Sequence, residues 1–277
     1  SLAAYIFEDN YELSLQYTKQ EYPSYGTTDF RYPAFEIKQE NGSKITNFEF
    51  KSHKIFKGKR KLEGLPATYV EDDNEAETLE ITLYDSLIHT ELVLSYTIYK
   101  ELPVIARNVK FIHKGKSTII LNSAMSVCVD FPDSKFEMIH LAGAWGRERH
   151  VKIRKLEQGT QAIYSMAGAS SSEHNPFIAL KRTNVDEFNG EVYGFSLVYS
   201  GNHLEQIEVS THDMTRVIIG IHPDTFEWPL SEGEVFQTPE VVMVYSNCGM
   251  NKMSQTYHEL YRTRLVRGEW RDKVRPI

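Results

Sequence analysis

Two cysteines in 277 residues are too few for a disulfide framework. Cys128 sits in the apolar run MSVCVDF and is expected as a buried free thiol, with a disulfide to Cys248 the lesser alternative. Sparse cysteine fits a reducing compartment, so a cytoplasmic location is expected. No stretch approaches 18 consecutive apolar residues, which excludes a helical membrane span. Neither a repeat of about 20–50 residues nor a low-complexity linker is present. No leader peptide is visible, and the chain starts at Ser1 without Met, so the natural N-terminus is expected upstream. A basic excess is also lacking. The formal charge is −7, which argues against nucleic acid or an anionic membrane as the main partner.

Aromatics are abundant, with 16 tyrosines and 14 phenylalanines, residues that favour pleated, half-buried surfaces. In TLEITLYD (78–85), Leu79, Ile81 and Leu83 share one face; in ELVLSYTIY (91–99), Leu92, Leu94, Tyr96 and Ile98 do. The two read as a hairpin turning through SLIH. Further strands are predicted at 104–113, 117–130, 191–199, 204–210, 215–221 and 240–245, with turns at HKGKS, FNGE, YSGN and SEGE. The expected class is all-β, a large sandwich. One helix follows, over 253–265, with Met253, Tyr257, Leu260, Tyr261 and Leu265 on one face, Asn251 or Ser254 as cap and Gly268 as stop. The last 23 residues hold six Lys/Arg against three Asp/Glu, leaving about −10 on the remainder. The runs KGKRK (57–61) and EDDNEAE (71–77) are expected as solvated loops.

Several motifs fail on inspection. HKGKST (113–118) lacks the earlier glycine of a phosphate-binding loop, because position 110 is Lys. HELYR (258–262) has Arg262 where a zinc-protease helix needs a second His. Asn41-Gly42-Ser43 fits a glycosylation acceptor but reads better as a tight turn. Ten scattered histidines show no ligand spacing and no Gly-x-Ser-x-Gly occurs, so neither cofactor nor metal is expected. Glu148, His150, Glu173 and His174 could supply an acid/base pair if the fold joined them. Three mixed runs stand out: YPSYGTTDFRYPAFEI (22–37), HLAGAWGRERHVKIR (140–154) and GASSSEHNPFIAL (168–180). Asp29 and Arg31 among tyrosines suit a sugar. The same composition suits protein contact, the stronger reading, since Tyr, Trp and Arg are enriched at interfaces. Tyr11, Tyr32, Trp145, Arg147, Arg149, Tyr257 and Tyr261 are the candidate interface residues.

The runs EYPSYGTTDFRYPAFEI, KLEGLPATYVEDDNEAETLEITLYD, LAGAWGRERH, GASSSEHNPF, GEVYGFSLVYSGN and QTPEVVMVYSNCGMNKMSQTYHELYRTRL resemble the N-terminal region of the family 36 glycoside hydrolases, the bacterial α-galactosidases. The resemblance implies a β-supersandwich similar to galactose mutarotase over 1–250. Residues 251–277 would then be a helix and linker toward a (β/α)8 barrel that this sequence stops short of, and both ends are expected to be trimmed. It implies retaining hydrolysis of terminal α-galactosides by two barrel aspartates, one in a Lys-Trp-Asp context. No Trp here has that context, so no catalytic residue is expected in this chain and the chain alone is expected to be inactive. The implied partners are the barrel of the same polypeptide, an α-galactoside in the intact enzyme, and further copies in an oligomer. The stretch matching 1–12 would reach a neighbour's site, although Tyr11 stands where some relatives place Arg. A galactoside-binding sandwich and a mutarotase-like epimerase are the alternatives.

Overall fold

Apolar alternation fixes most of the strands and also decides which sheet face each side chain occupies. The computed structural model describes residues 5–7, 10–12, 20–27 and 29–274. In chain order its strands are β1 (Tyr5–Phe7), β2 (Asn10–Glu12), β3 (Phe35–Lys38), β4 (Glu49–Lys57), β5 (Ala76–Asp85), β6 (Thr90–Tyr99), β7 (Val104–His113), β8 (Ile119–Phe131) and β9 (Glu137–Ala144). Then come β10 (Arg147–Lys155), β11 (Gly159–Ser165), β12 (His174–Lys181), β13 (Val192–Val198), β14 (His203–Val209), β15 (Thr215–Ile221), β16 (Trp228–Leu230), β17 (Val235–Gln237) and β18 (Glu240–Ser246). Among the described residues one α-helix follows, α1 (Gly249–Arg264).

Among the described residues ten strands form the larger sheet, in the order β10-β9-β12-β13-β18-β7-β6-β5-β4 with β17 added against β7. Six form the smaller one, β11-β14-β15-β8-β16 with β3 against β8, and β1 pairs with β2. Every pairing between these named strands is antiparallel. The expected β5–β6 hairpin is present, with Leu83 opposite Leu92 and Leu79 opposite Tyr96. Two buried clusters gather side chains from both sheets. One centres on Phe35, Leu92, Phe111, Leu121 and Met125, the other on Met138, Ile178, Phe195, Ile207, Val217 and Val241.

A third cluster lies on the outer face of the larger sheet, where Val104, Ala106, Val192, Val242 and Val244 meet Met253, Tyr257 and Leu260 of α1. The helical stripe read from sequence therefore packs on its own sheet. Gly194 makes this close approach possible, since a Cβ there would stand 2.7 Å from the Tyr257 ring and 2.8 Å from the Met253 sulfur. The Tyr257 hydroxyl donates to the Val242 carbonyl at 3.0 Å, so the buried phenol is satisfied.

The helix starts earlier than expected, at Gly249 rather than near 253, and neither Asn251 nor Ser254 caps it. Its first N–H groups donate to carbonyls of a distant loop: Gly249 to Gly190, Met250 to Asp186 and Asn251 to Glu187, at 3.0, 3.1 and 2.9 Å. A tertiary cap of this kind satisfies the orphan donors of a helix N-terminus without a local sequence signal. The helix also ends before Gly268, at Arg264. The basic run departs from expectation too. Lys59 is buried and pairs at 2.5 Å with buried Glu240, which also accepts from the Thr68 N–H and hydroxyl at 2.8 and 2.6 Å. Both cysteines are free, Cys128 buried and Cys248 exposed, and burial pushes the Cys128 thiol up to about 12.

Gly249 has φ +78, and a Cβ there would meet the Glu187 carbonyl carbon and oxygen at 2.6 Å. Gly249→Ala is expected to lower unfolding stability by about 2–4 kcal/mol, since strain and overpacking combine. Urea denaturation measures this; an unchanged midpoint would show that the loop does not clamp the helix.

Candidate functional site

The turn at 29–32 is tied to β8 and β15 of the smaller sheet by a lattice of four charges. Arg31 binds Asp29 through two bonds, at 3.0 and 2.8 Å, and reaches Asp130 at 2.9 Å. Arg216, fully buried on β15, donates to Asp130 at 2.8 and 2.9 Å, to Asp29 at 2.8 Å and to the Tyr32 carbonyl at 3.2 Å. The Tyr32 N–H donates to Glu208 at 2.8 Å. Burial pushes the Asp29 carboxyl up, but the bonds from Arg31 and the Arg216 charge outweigh it and hold it below the ordinary carboxylate range. The structure thus brings Asp29 and Arg31 together with two residues, Asp130 and Arg216, that sequence reading missed. Arg216 carried no signal, being one cation in the apolar strand TRVIIGI. Between the paired residues, Phe30 is 100% exposed. A cavity of ≈ 500 Å³ beside it is lined by Tyr25, Asp29, Phe30, Tyr32 and Glu208, among others.

The remaining candidates fall in two places. Trp145 is 92% exposed at the tip of the β9–β10 hairpin, with Arg147 and Arg149 exposed beside it. Tyr257 is buried and Tyr261 half-buried, both against the larger sheet. Tyr32 is half-buried in the turn. Tyr11 lies in β2, and its side chain is outside the described residues, as is the rest of the stretch at 1–12 apart from the β1 and β2 backbone. A larger, mostly apolar cavity of ≈ 890 Å³ is lined by Tyr96, Ile98, Ile105, Phe131, Tyr193 and Tyr245, among others.

Beyond α1 the chain is clasped. The Tyr69 N–H donates to the Arg264 carbonyl at 2.8 Å and its hydroxyl to the Val266 carbonyl at 3.2 Å. Arg264 grips Glu75 with two bonds at 2.7 and 3.0 Å, Arg271 pairs with Glu71, and the Arg267 guanidinium lies 4.1 Å from the Tyr69 ring centre. The acidic run 71–77, expected as a free loop, is the counter-charge of the basic tail.

Acid–base candidates are dispersed: Glu148, His150 and Glu173 are exposed, whereas His174 faces His140 at 5.8 Å between ring centres. Among the described residues no three His, Cys, Asp or Glu side chains are placed to hold a metal. The buried carboxylates are bonded internally. Asp85 accepts from the N–H groups of Asn47, Leu87 and Ile88, Glu240 binds Lys59, and Glu205 binds His203. No helix among the described residues is long and apolar enough to cross a membrane.

The family model described as glycosyl hydrolase family 36 N-terminal domain matches residues 2–231, and that described as melibiase matches 235–277. The chain is 58% identical over 264 residues to alpha-galactosidase AgaA of Geobacillus stearothermophilus, covering 95% of this chain and 36% of that protein. It is 43% identical over 258 residues to alpha-galactosidase 1 of Pediococcus pentosaceus, covering 93% and 35%. The crystal structure of AgaA superposes with a TM-score of 0.92 over 93% of this chain and 36% of that one, and variants of AgaA have been solved with stachyose and with raffinose. The chain therefore spans about a third of the length of the curated relatives it matches.

Arg216→Met removes one member of a buried lattice and leaves Asp29 and Asp130 short of partners, so a loss of about 3–5 kcal/mol is expected in urea denaturation. A loss below about 1 kcal/mol would mean the lattice is solvated. For the clasp, replacing Glu71 and Glu75 together by Gln is expected to speed amide exchange over 264–271 while barely moving the global midpoint. Unchanged exchange there would show that the carboxylates do not hold the tail.

Proposed function

Because the chain belongs to the glycosyl hydrolase family 36 N-terminal domain family, we propose that it is the non-catalytic β-sandwich of an α-galactosidase. Its work is to pack against a (β/α)8 barrel and to contact other copies. The observation that carries this reading is the treatment of residues 249–271. An amphipathic helix is seated on the outer sheet face, and the stretch after it is held by Tyr69, Glu71 and Glu75. Such a clasp sets the direction in which the chain leaves the sandwich, which matters when the next unit must be placed accurately. Residues 1–250 are the sandwich in this reading and 251–277 the connection. The helix itself begins two residues before that boundary.

Retaining glycoside hydrolysis needs two carboxyl groups about 5–5.5 Å apart across an open cleft. In this chain the buried carboxylates are engaged with backbone N–H groups, His203 or Lys59, which supports assigning the chemistry to a different part of the polypeptide. The intact enzyme would take terminal α-galactosides of the raffinose and stachyose class. Trp145, Arg147, Arg149 and Phe30 are the exposed side chains best suited to protein contact, being aromatic or cationic and lying on a turn or at the start of the edge strand β10. A galactoside-binding role remains the second reading, favoured by the cavity between Tyr25, Phe30 and Tyr32. Heat on titration with about millimolar galactose or raffinose would establish it, and none would exclude it.

The purified 277-residue chain is expected to show no turnover of an aryl α-galactoside. Hydrolysis that survives further purification and tracks this chain would overturn the non-catalytic assignment.

A further inference from the structure

Four of the ten histidines converge between the two sheets. His140 on β9 is 1% exposed, His203 on β14 is 0% exposed, and Glu205, two residues on, is also 0% exposed. His203 Nδ1 and Glu205 Oε2 lie 2.7 Å apart. His174 on β12 stands 5.8 Å from His140, ring centre to ring centre, and interacts electrostatically with His203. His222, which opens the short turn Pro223–Thr225, interacts with His203 and packs 5.3 Å from the Tyr164 ring of β11. Five buried polar atoms in this seam lack a hydrogen-bond partner among the described residues: both ring nitrogens of His140, Nδ1 of His174, Nε2 of His203 and Oε1 of Glu205.

The charges that face the seam are unbalanced. Arg154 and Lys152 approach from β10 and act on His140, and Arg154 also acts on His174. Glu173 beside β12 and Asp224 after His222 are the acids at its rim, and Glu205 is the acid within it. Each added proton would therefore place a cation beside Arg154 with one buried carboxylate, already bonded to His203, to answer it. Burial and the Arg154 charge lower His140 to about 4, and burial likewise lowers His174 and His222; burial raises Glu205.

We propose that His140, His174 and His222, set around the buried His203–Glu205 pair, form a proton-sensing seam whose protonation separates the smaller sheet from the β9–β12 end of the larger one. The seam also touches the far side of the sheet. β9 and β12 carry Ile139 and Ala179 in the cluster that seats α1, so opening the seam loosens the platform under that helix. A histidine kept neutral by the fold contributes stability that is complete above its unfolded value of 6.5 and is lost as pH falls toward its folded value. From His140 alone, the unfolding constant rises about 30-fold between about pH 7.5 and pH 5.

The test is urea denaturation across that pH range for the full chain, His140→Gln and the exposed control His53→Gln. A slope reduced in H140Q by about the 30-fold share of His140, with the control unchanged, supports the seam; an unchanged slope in H140Q overturns it. Should H140Q fail to fold, NMR titration of the wild-type imidazoles decides, because buried rings titrating near 6.5 remove the basis. Native exchange at about pH 5 supplies the structural readout. Amides of β11, β12 and β14 are expected to lose protection relative to β5–β7, and uniform loss across both sheets would refute a local opening.

Discussion

The central strands of the larger sheet are buried on both faces, and the rest of the architecture follows from covering them. Val241 and Phe195 look inward to the smaller sheet, while Val242, Val244 and Val192 look outward to α1. A 16-residue helix is about 24 Å long and can cross about five strand widths. It cannot cover a sheet of ten strands. The two edges, β4 and β10, are accordingly exposed along nearly their whole length and carry the sequences EFKSHKIFK and RERHVKIRK. Cations along an uncovered edge discourage pairing with a second sheet. The Trp145 turn that precedes β10 is exposed as well.

Buried charge in this fold ties loops to sheets. Glu240 on β18 holds the 57–68 loop through Lys59 and Thr68, and Tyr99 adds a bond to the Thr68 hydroxyl at 2.9 Å. Arg216 and Asp130 hold the 29–32 turn; Arg107 on β7, stacked over Tyr96, holds Glu21 at 3.0 Å. In each case a group on a strand reaches a loop distant in sequence. Breaking one partner leaves an uncompensated buried group, so these ties are costly to remove even where their net contribution is small.

That pattern also explains what sequence reading could and could not reach. Alternation made the β5–β6 hairpin legible, whereas β7, buried on both faces, was legible as an apolar run bounded by turns. The helical stripe gave α1, and the long motif runs gave the family. The strand β10 is solvent-exposed throughout, so it has no apolar period to detect. The helix start was hidden because its cap comes from backbone carbonyls at 186–190. Lys59 and the acids at 71–75 read as solvated because their partners, Glu240, Arg264 and Arg271, are about 170–200 residues away. Asp29 and Arg31 were found as a pair, but the cation that engages Asp29 from below, Arg216, lies in another strand of an otherwise apolar pattern.

Two buried polar systems in the sandwich respond to acid, and their order is fixed by chemistry. The charge lattice depends on carboxylates that must stay ionised. Asp29 sits below its unfolded value of 3.8, so its contribution is intact until the pH nears that value and is lost only as the pH falls further. The histidine seam depends on rings that must stay neutral, and their unfolded value of 6.5 places the onset of loss more than two pH units higher. On acidification the seam at His140, His174 and the His203 end of β14 therefore weakens while the carboxylates of the charge lattice at the 29–32 turn are still ionised. The two systems are not equivalent in this respect: the ion pairs flanking Phe30 stay charged over a pH range in which the seam behind the α1 platform is already taking up protons.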